Sequence, residues 1–106
     1  MAFIDVTDLH EKEIMSGFHG RIIHTENMTF VYWDIDAGAT LPEHAHPHEQ
    51  VINMIEGELE INAGGEVRRM KSGQVAVIAG NVLHSGKAIT ACRVIDVFCP
   101  VREDYR

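Results

Sequence analysis

Short segments rich in β-branched and aromatic residues recur along this chain, and turn-forming residues separate them. They are FVYWDI at 30–35, QVINMIE at 50–56, VAVI at 75–78 and ACRVIDVFC at 91–99. Segments of this composition and length are typical of β-strands. Many short strands at regular spacing favour a sandwich or a barrel over any helical fold.

A hairpin is predicted in the middle of the chain. GELEI at 57–61 alternates acidic with apolar residues, NAGG at 62–65 is a typical turn sequence, and EVRRM at 66–70 continues on the other side. The pattern predicts two antiparallel strands joined by a tight turn.

Only DLHEKEIM, at 8–15, has a helical pattern. Asp8 is a suitable N-cap, and Glu11 stands three residues later in the capping-box position. We therefore predict an all-β fold of six to ten antiparallel strands with at most a short helical turn near the amino terminus.

Length and charge restrict the possible classes of protein. The 106 residues are enough for one compact domain, so we treat residues 1–106 as a single domain. A formal charge of -7, with scattered basic residues, argues against nucleic acid and anionic membranes as partners. No apolar run approaches a membrane span, and the acidic amino terminus lacks the features of a secretory signal. We expect a cytoplasmic protein in which Cys92 and Cys99, on opposite faces of one strand, stay reduced and unpaired.

The segment HAHPHEQ contains three of the seven histidines of the chain. His44 and His46 are two apart, so on a strand they point to the same side, and Pro47 should end regular strand pairing there. Gln50 begins the next strand, and His84 follows a loop later in the chain. Three imidazoles and an amide oxygen suit a divalent transition metal with open positions for water or substrate.

These residues resemble the two sequence motifs of the cupins. The first motif has a match, at the correct spacing, in Gly38, His44, His46, Gln50 and Gly57. The second, looser motif falls on Gly73, Ala79, Gly80, Asn81 and His84. Asn81 replaces a glycine but tolerates a left-handed conformation. Gln50 replaces the usual glutamate, which leaves the metal charge uncompensated and favours an anionic ligand. The resemblance implies a double-stranded β-helix (jelly-roll) fold.

The last two thirds of the chain resemble the KdgF-type pectin-degradation cupins. HPHEQV at 46–51, NVLH at 81–84 and VIDVFCPVREDY at 94–105 carry the similarity. It implies conversion of 4,5-unsaturated monouronates, small anionic sugar acids from pectin or alginate, into linear 5-keto uronates. It also implies metal ligands at His44, His46, Gln50 and His84, one divalent ion per chain (Ni, Zn, Mn or Fe), and catalytic residues at Asp96, Phe98 and Arg102.

Spacing in the last strand is consistent with that assignment. Val94, Asp96 and Phe98 share one strand face, and a buried carboxylate beside apolar neighbours needs a reason to be there. The alternative is a structural ion pair of Asp96 with Arg93 or Arg102. Two other functions also remain open, a metal-dependent dioxygenase and a non-catalytic sugar- or metal-binding cupin.

We also expect a homodimer. Small barrels have exposed sheet edges, and pairing two copies covers them at low cost. A strand around FIDV at 3–6 is the candidate to cross between copies, and the outward-facing Ile95 and Val97 are candidates for the interface.

Overall fold

Ten antiparallel strands form two sheets. The structure is a computed structural model and describes all residues, 1–106. The six-stranded sheet contains, in spatial order, β1 (Lys12–Met15), β2 (Phe18–His24), β3 (Thr29–Ile35), β10 (Cys92–Cys99), β5 (Glu49–Glu56) and β8 (Val75–Ile78). The four-stranded sheet contains β4 (Thr40–His44), β9 (His84–Ala88), β6 (Leu59–Ala63) and β7 (Glu66–Met70).

The chain crosses repeatedly between the two sheets. From β3 onward it passes to β4, returns to β5, forms the β6–β7 hairpin, and alternates again through β8, β9 and β10. This arrangement confirms the jelly-roll fold and the predicted hairpin. The two sheets are not hydrogen-bonded into one continuous barrel, so each keeps two edge strands.

The predicted helix at 8–15 is wrong in its position. Residues Lys12–Met15 form β1, which pairs with β2 and places Ile14 and Met15 against the core, so tertiary pairing overrides local helix propensity. Helical structure is limited to two 3₁₀ turns, Val6–Asp8 and Glu103–Tyr105. Nowhere does the chain form a helix of the length and apolarity that crossing a membrane requires.

Alternation along the strands produces the core between the sheets. In β3 every second residue is buried, and in β10 the buried positions include Val94, Asp96 and Phe98. The six-stranded sheet also contributes Trp33 and Met54. The four-stranded sheet contributes Leu59, Ile61, Met70 and Ala88. Each large apolar side chain buried in this way stabilises the fold by about 1.5–3 kcal/mol.

Both cysteines are unpaired, as predicted. Cys92 is buried in the core and Cys99 is exposed at the other end of β10. Cys99 follows Phe98, the last inward residue of β10, and therefore points to the surface.

The loop before β9 packs directly on the histidine-rich segment. A Cβ atom on Gly80 would overlap the backbone oxygen of Pro47, so only glycine allows this approach. Asn81 has a φ of 66°, the left-handed conformation expected for it, and its N–H donates to the backbone oxygen of His46 at 2.7 Å. The second motif therefore fixes the backbone of the first.

Candidate metal centre and active site

Three histidines meet where the two sheets face each other. His44 ends β4 and lies directly opposite His84, the first residue of β9, while His46 lies in the connection to β5. Strand β4 ends before Pro47, as expected, but it also ends before His46, which is therefore a loop residue. One ring nitrogen from each histidine lies within 4.8 Å of the other two, so the three residues could hold a metal ion.

Hydrogen bonds set the orientation of each imidazole ring. Nδ1 lies 2.9 Å from a backbone carbonyl oxygen in His44, 3.1 Å in His46 and 2.9 Å in His84. Because a carbonyl oxygen only accepts, each Nδ1 carries the proton and each Nε2 keeps a free lone pair. Outer hydrogen bonds of this kind are what orient histidine ligands in metal sites.

The side-chain oxygen of Gln50 joins the three histidine Nε2 atoms, and all four atoms are hydrogen-bond acceptors. Its Oε1 lies 3.1 Å from Nε2 of His46, and both atoms carry lone pairs if Nδ1 of His46 is protonated. Nε2 of His84 is buried without a hydrogen-bond partner. Converging lone pairs are unfavourable in a buried site unless a cation lies among them, so this donor set fits a divalent transition metal.

Two of the three histidines, His46 and His84, are held towards the neutral form that a metal ligand needs. Burial is the largest cause that lowers the pKa of both His46 and His84, and the positive charge of Arg102 lowers them further. No carboxylate belongs to the group of three histidines and Gln50. The charge of a bound divalent ion would therefore remain uncompensated and would attract an anion.

Asp96 is a buried carboxyl group without an ion pair. Trp33 Nε1 donates to its Oδ2 at 2.9 Å, and its Oδ1 has no hydrogen-bond partner. Burial raises the pKa of Asp96 to about 6, although Gln50, Trp33 and the charge of Arg102 oppose that increase. The group therefore exchanges its proton near neutral pH, which is suitable for an acid–base catalyst.

The alternative of a structural ion pair for Asp96 is not what the structure contains. Arg93 lies on the outer face with Asp34 at 3.3 Å, and Arg102 pairs with Asp104 at 2.7 Å. Asp96 and Arg93 are three positions apart on β10, so Asp96 points into the core while Arg93 points outward.

Arg102 packs against two aromatic rings. Its guanidinium carbon lies 4.8 Å from the ring centroid of Phe98 and 4.2 Å from that of Tyr105. Phe98 is buried and also packs against His46, with ring centroids 5.6 Å apart. Phe98 therefore joins the arginine to the metal ligands as well as lining the cavity.

One cavity brings most of the predicted residues together. Its lining includes His44, Gln50, His84, Asp96, Phe98, Arg102 and Tyr105. His46 contacts Phe98 and completes the histidine group from the loop between β4 and β5. His48 lies outside the group of three histidines, and its Nε2 donates to the backbone oxygen of Val101 at 3.2 Å.

Three contacts of the site were not predicted. The sequence places Trp33 only in a predicted strand, and it places Asp104 and Tyr105 only in the tail that resembles the KdgF-type cupins. The Arg-x-Asp-Tyr spacing was a usable signal for the last two, because residues two and three apart meet in a tight turn. No local signal connects Trp33 to Asp96, which is 63 residues away.

A comparison with protein families identifies the fold family. The model of the cupin domain matches residues 31–98. The chain belongs to the cupin family. This cupin superposes on KdgF from Halomonas sp. with a TM-score of 0.93 and 28% identity, covering 100% of this chain and 99% of that one.

Two further relatives are similar to this cupin. An RmlC-like cupin from Shewanella frigidimarina NCIMB 400 has a TM-score of 0.94 and 27% identity, with 100% of this chain and 96% of the other covered. An uncharacterized protein of Streptomyces coelicolor is 26% identical over 91 residues, which are 85% of this chain and 87% of that protein. The cupin resemblance deduced from the motifs is thus confirmed, including its likeness to KdgF.

Proposed function

We propose that this cupin opens the ring of 4,5-unsaturated monouronates and yields linear 5-keto-4-deoxyuronates with the aid of one divalent transition metal ion. The observation that carries the proposal is the presence, in one cavity, of a neutral metal-ligand set, an unpaired buried carboxyl group and an arginine. Such a site suits a small anionic substrate that must both lose and gain a proton.

The reaction is an isomerisation in which protons balance. A proton leaves the anomeric hydroxyl group, the bond between the anomeric carbon and the ring oxygen breaks, and the electron pair passes through the double bond so that C4 gains a proton. One group that accepts a proton and returns it is sufficient. Asp96 fits this role because its pKa of about 6 leaves it ionised at pH 7 yet readily protonated, and Trp33 fixes its orientation.

Arg102 and Phe98 would position the substrate. A guanidinium group forms bidentate hydrogen bonds with a carboxylate, and Arg102 is buried at the cavity wall where such a pair is protected from water. Phe98 offers an apolar surface beside it. A metal ion bound at the histidines and Gln50 would supply Lewis-acid polarisation of substrate oxygen atoms.

Similarity to KdgF supports the same assignment. The likeness extends over the whole chain, including the carboxy-terminal segment that carries Asp96, Phe98 and Arg102. Many reactions occur on this fold. The proposed reaction is therefore assigned from these three residues in addition to the metal ligands.

The direct test uses the unsaturated galacturonate monomer. Purified protein loaded with Zn, Mn, Ni or Fe in turn is mixed with it, and loss of the absorbance of the conjugated double bond is followed against the spontaneous rate. We expect acceleration that depends on metal and is absent in Asp96→Asn. No acceleration with any of the metals would contradict the proposal for this substrate.

The same preparations distinguish the alternative functions. Oxygen consumption by the iron-loaded protein, without loss of the uronate chromophore, would indicate a dioxygenase instead. Tight uronate binding with neither reaction would indicate a binding protein.

A further inference from the structure

One edge of the Arg102 guanidinium is already occupied by the protein. Nε donates to Oδ1 of Asp104 at 3.0 Å and Nη2 donates to Oδ2 at 2.7 Å, a bidentate pair along the side of the guanidinium plane. Both hydrogen bonds of the Arg102 side chain go to this carboxylate. Asp104 is more than half exposed, while Arg102 is almost fully buried.

Two aromatic rings pack against the same group. The ring centroids of Phe98 and Tyr105 lie within 5 Å of the guanidinium carbon and 6.0 Å from each other, so the rings adjoin the group from neighbouring directions and do not enclose it. Asp104 occupies the Nε–Nη2 edge of the guanidinium plane. The Nη1–Nη2 end therefore remains, and it has the same two-donor geometry as the occupied edge.

Arg102 lines the same cavity as His44, Gln50, His84 and Asp96. The N–H groups that Asp104 leaves free therefore belong to the same site as the metal ligands and the proton-transfer group.

We infer that Asp104 is a positioning residue that holds Arg102 by its side edge, so that the Nη1–Nη2 end is presented to the carboxylate of a sugar acid in the cavity. The inference rests on the proposed function for the identity of the ligand. The two hydrogen bonds to Asp104 and the two ring contacts restrict the rotamers of the arginine side chain, which reduces the entropy lost when a carboxylate binds.

A positioning role for Asp104 predicts a change in anion affinity opposite in sign to the change expected from charge repulsion alone. Removing the negative charge of Asp104 should strengthen binding of an anion if Asp104 acts only through the electrostatic field. If Asp104 positions Arg102, its removal should weaken anion binding although the site becomes more positive. The direction of the change alone decides between these explanations.

The test measures binding of saturated D-galacturonate, which lacks the reacting double bond, to zinc-loaded protein by titration calorimetry. We expect Asp104→Ala to raise its dissociation constant roughly tenfold, as expected when a charge-assisted hydrogen-bonded pair that orients the donor is lost. Asp104→Glu should recover part of that loss. Glu103→Gln is the matched control, because Glu103 forms a similar 2.7 Å pair with Arg106 outside the cavity, and it should bind as wild type.

Turnover of the unsaturated substrate provides the second measurement. In Asp104→Ala, KM should rise while kcat stays within about twofold, since no reacting atom loses its partner. Wild-type turnover with unchanged Kd and KM in Asp104→Ala would overturn the inference and leave the proposed function intact. Weaker galacturonate binding in Asp104→Ala, in a protein that never turns over, would support the positioning role and overturn the proposed function.

Two further outcomes would also overturn the inference. One is tighter galacturonate binding in Asp104→Ala, which would show that Asp104 acts only by electrostatic repulsion of the anion. The other is a wild-type protein that does not bind galacturonate at all, which would refute the carboxylate site together with the proposed function.

Discussion

His44 and His84 are direct register partners in the β4–β9 pair, with ring centroids 4.2 Å apart. Forty positions separate them in the chain, so sheet register alone brings them together. A slip of one residue would turn one of the two rings to the opposite face of the sheet. Two of the four predicted metal ligands are therefore placed opposite each other by strand pairing.

We expect alanine at His44, His46 or His84 to lower metal affinity by more than about 100-fold, since even outer partners of metal ligands contribute 10–100-fold. Gln50→Ala should cost less, because an amide is the weakest of these ligands. Metal content after dialysis and calorimetric titration with zinc would measure both effects. His10→Ala is the control, since His10 is exposed and does not line the cavity. Full metal occupancy in a His44/His46 double variant would refute the site.

The fold could be predicted from sequence where strands are apolar. The segments at 30–35, 50–56, 75–78 and 91–99 each match an observed strand within about one residue at either end. Strand β9 could not be predicted, because HSGKA contains no β-branched or large apolar residue. It becomes a strand only because β4 and β6 hydrogen-bond to its two sides.

Asp96→Asn should reduce turnover by roughly 100-fold or more, because the amide keeps the shape of the side chain but cannot exchange a proton. Metal content and galacturonate binding should remain close to wild type, because neither depends on that proton. The unsaturated-substrate assay measures the loss. Asp34→Asn, on the outer face of the sheet, serves as control, and wild-type turnover in Asp96→Asn would remove Asp96 from the mechanism.

Asp96 should also make metal-free protein less stable as pH rises. Burial raises its pKa from 3.8 to about 6, so the folded state binds the proton more tightly than the unfolded state. Stability from this group is fully present below pH 3.8 and is lost as pH rises through 6, a difference on the order of 3 kcal/mol. Urea unfolding of wild type and Asp96→Asn at pH 4 and pH 7 measures it. The wild type should lose more stability than the variant, and equal losses would contradict the raised pKa.

We propose a homodimer formed through the outer face of the six-stranded sheet. Ile95 and Val97 are partly exposed there, next to Tyr32, Phe30 and Val51 in neighbouring strands. This apolar stripe lacks a partner within one chain, and covering it would favour association. We expect light scattering at micromolar concentration to give twice the 11.9 kDa chain mass.

Two glutamate substitutions test whether the outer face of the six-stranded sheet is the dimer interface. Val97→Glu should yield a monomer, whereas Val67→Glu should leave the dimer intact, because Val67 is exposed on β7 in the other sheet. The predicted strand around FIDV does not form in the single chain, where residues 1–5 have no regular structure and Phe3 is exposed. A monomeric wild type would contradict the proposal.

Residue spacing in the sequence predicts which side chains form the candidate site. The histidine and glutamine positions follow from motif spacing, and the inward direction of Asp96 follows from strand alternation. The side-chain partners were not predictable. The Trp33–Asp96 bond depends on β3 lying beside β10, and the contacts of Arg102 depend on how the last turn folds back onto the sheet.

Arg102→Lys should raise KM more than it lowers kcat. Lysine keeps the positive charge, but it lacks the planar group that donates two parallel hydrogen bonds while packing against Phe98 and Tyr105. Steady-state kinetics on the unsaturated substrate would separate the two constants. Arg106→Lys provides a matched control, because Arg106 is a half-exposed arginine with its own carboxylate partner, Glu103, and its substitution should change neither constant. An unchanged KM in Arg102→Lys would mean that positive charge alone holds the substrate, and would exclude a bidentate carboxylate contact from the mechanism.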